Sequence, residues 1–216
     1  MPISIISIIL KFVSHLIGNM ISRERIEEFV FMEIFTKGFK SFRISTVTSQ
    51  LKISKQSLYY YFPSKNILVD DSLKFGFSRF IEKVEKTARN IPCPLTSIVF
   101  IAVDHFRFFS TIGNKFVEEI SQMENLLPFV ESCRQKRVEL GNNLLSLCVE
   151  KSLLKPNVTL DDIFSLVKDK IVAFTKLESY DNFPTKKVFD IVVSIFRDIS
   201  TFKGNDILSE LIINYG

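Results

Sequence analysis

The chain has 216 residues, a formal net charge of +4 and 46% hydrophobic residues with only seven glycines and seven prolines, which suits a small domain joined to a larger one and disfavours a fold rich in strands and turns. Its three cysteines, Cys93, Cys133 and Cys148, are widely spaced and odd in number, so they suggest neither a disulfide framework nor a metal knuckle and read as core residues of a reduced cytoplasmic protein. No glycine-rich phosphate loop, Gly-x-Ser-x-Gly or His-Glu-x-x-His occurs, which leaves an enzyme, a metal site or a bound cofactor without support.

Residues 1–19 form a strongly apolar extension interrupted by Lys11 and His15. The extension lacks the basic start of a signal peptide and falls short of the roughly 20 apolar residues that a spanning helix needs. Two readings stand: translation starts naturally at Met20, or the extension is an extra surface helix; a membrane anchor is a weaker third.

From Arg23 to Lys37, Ile26, Phe29, Val30, Ile34 and Phe35 recur at helical spacing, predicting an amphipathic helix that Gly38 ends. A second short helix is expected over Ile44 to Leu51, with Ile44, Val47 and Leu51 inward, and Lys52-Ile53-Ser54 makes the turn into a third. That third helix reads Lys55-Gln56-Ser57-Leu58-Tyr59-Tyr60-Tyr61, and Pro63 stops it. Leu58 and Phe62 stand four apart and share one face, which leaves the hydroxyl, amide and basic side chains on the others. Three adjacent tyrosines exceed what so short a helix can bury. From Ile34 to Val69 there are six basic residues (Lys37, Lys40, Arg43, Lys52, Lys55 and Lys65) and no acidic one, whereas from Asp71 onward the two signs number 19 each. A local positive field on a helical hairpin suits nucleic acid, because each phosphate it neutralises releases counterion. A solvated basic face is the plainer reading of any such cluster, and its coincidence with the hairpin argues against it.

The order of helix, helix, tight turn and third helix is a helix-turn-helix. With Gly38-Phe39, Ile44, Val47, Ile53-Ser54-Lys55, Ser57-Leu58-Tyr59, Tyr61-Phe62, Ser64-Lys65 and Leu68, the segment from Ile21 to Leu68 resembles the TetR/AcrR-type bacterial transcriptional regulators. The chain departs from that pattern at Phe42 and Arg43, where the family often has small hydroxyl residues, so that Ser41 or Ser45 would have to cap the second helix. It departs again at Lys52, which stands at the family's turn glycine. The resemblance implies an all-α fold: a three-helix DNA-binding domain over residues 20–68, joined by a long helix to a helical effector-binding and dimerisation domain over residues 69–216. It also implies a homodimer that binds double-stranded palindromic operator DNA as a repressor and responds to a small apolar or amphipathic effector. On the third helix, Lys55, Gln56, Ser57 and Tyr60 are expected at base edges or the adjacent backbone, with Tyr59, Tyr61, Lys65 and Thr46 on phosphates.

Beyond the motif, one long helix is expected from Lys65 to Arg89, with Leu68, Leu73, Phe77, Phe80, Ile81 and Val84 inward. Another runs from Pro94 to Met123 with a kink or break at Gly113, and a third from Pro128 to Leu153. Leu160 to Leu177 and Thr185 to Ile199 are apolar on more than one face, which suggests that one side meets the core and the other a partner; the resemblance points to the same helices as a dimer interface, at which Val192 or Ile195 would lie. The competing reading makes both central in a monomer. Gly204 is expected to close a turn before a terminal helix over Asp206 to Asn214. Phe106, Phe109, Phe116, Phe129 and Tyr180 would line an effector cavity with His105 as its polar group, although a phenylalanine stripe is more often core. The alternative from another class is a helical lipid- or membrane-associated protein, motivated by residues 1–19 and the phenylalanine-rich second half. Such a protein has no need of the acid-free basic stretch.

Overall fold

In the computed structural model of the chain, residues 21–110, 112–175 and 185–215 are described, apart from the side chains of residues 109–110, 114, 168, 170–175 and 185. The apolar extension at 1–19 and Pro184, a proline expected at the first turn of the helix from Thr185, lie outside this set. The described residues form ten helices and no strand: α1 (Arg23–Lys37), α2 (Ile44–Leu51), α3 (Lys55–Tyr61), α4 (Lys65–Asn90), α5 (Pro94–Ser110), α6 (Asn114–Ile120), α7 (Leu127–Glu150), α8 (Leu160–Thr175), α9 (Thr185–Ile199) and α10 (Phe202–Tyr215). None is long and apolar enough to cross a membrane. The chain divides into two compact units, one ending at Gly76 and one starting at Phe77, and the division falls inside α4.

In the first unit, local chemistry fixes most helix ends. The Ser22 hydroxyl accepts the Arg25 N–H at 3.2 Å to cap α1, and Gly38, at φ 85°, ends it by donating to the Ile34 carbonyl at 2.8 Å. Lys52 takes the left-handed conformation (φ 53°) that the turn between α2 and α3 needs, a position where glycine would be unstrained. The core gathers Ile26, Val30, Ile34 and Phe35 from α1 with Val47, Leu58, Phe62 and Leu73, all fully buried. Gly76 permits a close approach of α4 to α1, since a Cβ there would stand 2.1 Å from the Phe31 ring.

The expected cap on α2 does not form. Arg43 holds the N-cap position without a side-chain hydrogen bond, Ser45 lies inside the helix, and the Ser41 hydroxyl donates backward to the carbonyls of Lys37 and Gly38. Ser41 stands two residues before the N-cap position, and its hydroxyl is committed to the end of α1.

The second unit is organised by burial. α5 packs against α7 and α9, and α9 also packs against α8 and α10. Aromatic pairs mark these seams, with Phe80 stacked on Phe108 at 4.1 Å and Phe100 meeting Phe189 and Tyr215 at 6.3 and 5.2 Å. Gly113 begins α6, so the segment from Pro94 is two helices with a break between them. Two expectations are corrected. Gly204 does not close a turn: α10 already begins at Phe202, and a Cβ at Gly204 would lie 2.1 Å from the Leu153 carbonyl oxygen, so glycine is there for close backbone approach. Val192 and Ile195 do not face a partner either, because both are buried in their own chain at 1% exposure or less, and the exposed side of α9 carries Lys186, Asp190, Arg197 and Asp198. α9 is apolar on several faces because several helices of one chain surround it.

Candidate nucleic-acid interface

α3 is two turns long because Ser54 starts it and Pro63 follows it. The Ser54 hydroxyl accepts the Ser57 N–H at 2.9 Å and shares a 2.8 Å hydrogen bond with the Ser57 hydroxyl. Ser64 caps α4 in the same way, accepting the Ile67 N–H at 3.2 Å. Beneath α3, Leu58 and Phe62 are completely buried, and the Arg23 guanidinium lies 4.8 Å from the centre of the Phe62 ring. Arg23 also donates to Glu27 at 2.8 Å and to Asp71 at 2.5 Å, so one side chain fastens the start of α1 to α4 and covers the anchor of α3. The Glu27 hydrogen bond does most to raise the Arg23 pKa; burial opposes it, and the charges of Glu27 and Asp71 add to it.

The upper face of α3 is open. Lys55, Gln56 and Ser57 are exposed, Tyr60 is 80% exposed and Tyr59 43%, while Tyr61 is half-buried with its ring edge-on to Tyr60 at 5.4 Å. This face offers an ammonium, an amide and phenol groups at helical spacing, the mixture that recognises base edges and phosphates. Two residues expected at the interface carry internal duties. The Ser57 hydroxyl is engaged with Ser54, and the half-buried Lys65 ammonium donates to the Phe42 carbonyl at 3.0 Å while lying 5.6 and 5.5 Å from the Phe39 and Phe42 ring centres. Thr46 is half-buried on α2.

The surrounding charge favours an anion. Acids flanking the basic stretch are engaged: Glu33 with Lys37 and Asp70 with Lys74, both at 2.7 Å, and Asp71 with Arg23. Lys40, Arg43, Lys52 and Lys55 are exposed. Sequence reasoning missed Arg23, whose partners are Glu27 on its own helix, Asp71 on α4 and Phe62 just past the end of α3, so that only the Glu27 pair has a local spacing. It counted Arg43 in the basic stretch without a role; the structure places it, exposed, at the start of α2, its guanidinium donating to the Lys40 and Phe42 carbonyls.

The expected effector residues are only partly brought together. The His105 ring on α5 lies 4.8 Å from Phe164, 5.7 Å from Phe106 and 6.3 Å from Phe80. Burial, with a smaller contribution from the Arg137 charge, pushes the His105 pKa down to about 3, so the imidazole is neutral at physiological pH. Phe116 is buried, Phe106 and Phe129 are half-buried, and the Phe109 side chain and Tyr180 lie outside the described residues. An open depression of about 390 Å³ is lined by Arg134, Gln135, Val138, Glu139, Asn142 and Asn143 of α7, none of them an expected effector residue. Among the described residues, no group of three His, Cys, Asp or Glu side chains is placed to hold a metal ion.

Comparison with known proteins agrees with this geometry. Residues 31–71 match the family model of the bacterial regulatory proteins of the tetR family. By fold, the chain is similar to a ketosteroid transcriptional regulator of Mycobacterium tuberculosis, with a TM-score of 0.62 and 13% identity over 83% of this chain and 95% of that one. It is also similar to a TetR transcriptional regulator from Streptomyces coelicolor (TM-score 0.55, 12% identity, 84% and 99% covered) and to a transcriptional regulator from Cytophaga hutchinsonii (0.55, 18%, 82% and 98%). No curated protein matches the chain.

Proposed function

Starting from a chain that carries the DNA-binding domain of the tetR-family bacterial regulatory proteins, we propose that it is a cytoplasmic, dimeric transcriptional repressor that binds a palindromic operator and releases it when an effector binds the second unit. The observation that carries this reading is α3 itself: a capped, two-turn helix, pinned from below by Phe62 and Arg23, that exposes Lys55, Gln56 and Tyr60 within a stretch free of acidic residues. Lys55, Gln56, Ser57 and Tyr60 then read base edges or the nearby backbone in the major groove, and Thr46, Tyr59, Tyr61 and Lys65 hold phosphates. Two copies would present their α3 helices to successive major grooves about 34 Å apart.

The effector on this reading is apolar or amphipathic and enters the phenylalanine-rich unit near His105. It acts by binding more tightly to a state that fits the operator poorly, and linkage requires operator DNA to weaken effector binding by the same factor.

The test begins with selection of bound sequences from genomic DNA fragments. Recovery of a palindromic site, with Gln56→Ala relaxing preference at one base pair at a cost of about 1–3 kcal/mol, is the expected result. Binding that showed no sequence preference, or a Gln56→Ala variant with the wild-type preference at every position, would remove α3 as the reading helix.

A further inference from the structure

α1 and α2 end in the same way on different residues. Each closes on a residue of positive φ whose N–H donates to the carbonyl four residues back, Gly38 to Ile34 and Lys52 to Thr48. Glycine adopts such a conformation freely, whereas an L-residue with a side chain is strained in it. Of the three non-glycine residues with positive φ among the described residues, Lys52, Ser152 and Asn157, Lys52 alone carries a charge. That side chain gives nothing back to the fold: it is exposed and makes no hydrogen bond or ion pair within the described residues. Leu51 and Ile53 on either side are half-buried, and the Thr48 carbonyl also holds the Ile53 N–H at 3.1 Å. The turn is therefore fixed by its neighbours and would close with less strain on glycine.

A strained residue that its surroundings over-determine points to a function, and the place of Lys52 says which. It stands two residues ahead of Ser54, the cap of α3, and three ahead of Lys55, within the stretch free of acidic residues. A recognition helix enters the major groove by its N-terminal residues, so a residue just before that end passes the phosphates that line the groove. An ammonium on a flexible stem binds a phosphate there as a point charge, without the fixed geometry that a base edge demands.

We propose that Lys52 is a phosphate contact held at the turn against the preference of its own backbone, so that the first unit gives up stability for affinity to DNA of any sequence. The tetR pattern has a glycine at this position, so the resemblance does not supply the contact. The inference rests on the DNA-binding reading above and adds to it a residue outside α3.

Titrations of the full chain against the operator recovered by selection, and against an unrelated duplex, at several salt concentrations test the contact. Lys52→Gly and Lys52→Asn should each flatten the dependence of log affinity on log salt by about 0.9 on both duplexes, since one phosphate fewer is neutralised. Lys52→Gly should at the same time raise the melting temperature of the first unit by about 2–4 °C, the opposite of what losing a structural residue does. Lys52→Arg keeps both the charge and the strain and should leave slope and melting temperature at their wild-type values. A wild-type slope in both Lys52→Gly and Lys52→Asn would overturn the contact and leave the DNA-binding reading standing. A wild-type chain that binds neither duplex would overturn that reading and the contact with it. A melting temperature that Lys52→Gly lowers would show that the fold itself prefers lysine at the turn, and would overturn the exchange of stability for affinity.

Discussion

Two helices that meet their surroundings differently, α3 in the first unit and α10 in the second, show how the two halves are built. The bounds of α3 are written in adjacent residues: Ser54 caps one end, Pro63 blocks the other, and Leu58 and Phe62 mark the face that goes down. The start of α10 is capped locally too, the Thr201 hydroxyl accepting the Gly204 N–H at 3.2 Å, but its interior is constrained from afar: a side chain at Gly204 would collide with the Leu153 carbonyl, some fifty residues earlier in the chain. Local signals govern where a short helix must present specific side chains outward; distant contacts govern where helices mainly bury one another.

The largest expected effect tests the anchor beneath α3. Phe62 is fully buried and lies under the Arg23 guanidinium, so Phe62→Ala should cost the first unit about 3–5 kcal/mol, loosen α3 and abolish operator binding. Urea titration followed by circular dichroism should then show an early transition for the helix-turn-helix while most helicity, which belongs to the larger unit, persists to higher urea. A single transition with unchanged midpoint would break the contrast between locally and globally specified units.

Gly204→Ala is the matching test in the second unit. The added methyl group meets a backbone oxygen that already accepts the Thr201 N–H at 3.1 Å, so it cannot be accommodated by turning a side chain. A loss of about 1–3 kcal/mol is expected, read as a lower melting temperature with operator binding intact below it. An unchanged melting temperature would mean that the approach of α10 to Leu153 is looser than it stands here.

The same contrast explains what could be read from the sequence. The bounds of α1 and α3 were legible because Gly38, Ser54 and Pro63 act within a turn of the helices they limit, and the inward faces of α4 followed from its apolar spacing; the entry of α2 was not, because no side chain caps it. The role of α9 was not legible. Its residues Val188, Phe189, Ile191, Val192, Val193, Ile195 and Phe196 look the same whether neighbours come from one chain or two, and only the fold shows that α5, α8 and α10 cover them. In the DNA-binding unit, the exposed side chains of α3 were legible from their spacing, but Arg23 was not, since its meaning comes from Glu27, Asp71 and Phe62 meeting in space.

His105 offers a pH test confined to the second unit. Its folded pKa of about 3 lies below the ordinary 6.5, so the neutral form is the one the fold accommodates. The associated stability is fully present above pH 6.5 and is lost as the pH falls from there toward 3, at up to about 1.4 kcal/mol per pH unit. Urea midpoints between pH 7 and pH 5 should fall for the wild type and fall less for His105→Phe, which keeps an aromatic ring against Phe164 without a site to protonate. Equal slopes would show that His105 opens to solvent before it titrates.

Lys65 gives the smallest expected effect and the finest test, because it lies where the two kinds of specification meet. Its hydrogen bond to the Phe42 carbonyl and its position over the Phe39 and Phe42 rings hold the loop that leads into α2, the helix whose N-cap supplies no side-chain bond. An ammonium has three donors, so the bond to Phe42 leaves capacity for a phosphate. Lys65→Ala should therefore lower the stability of the first unit by about 0.5–1.5 kcal/mol and also flatten the dependence of log affinity on log salt by about one unit. Denaturation and operator titrations at several salt concentrations separate the two roles. A stability loss with an unchanged salt slope would reduce Lys65 to a fastener of the loop, and a flattened slope with unchanged stability would make it a phosphate contact alone.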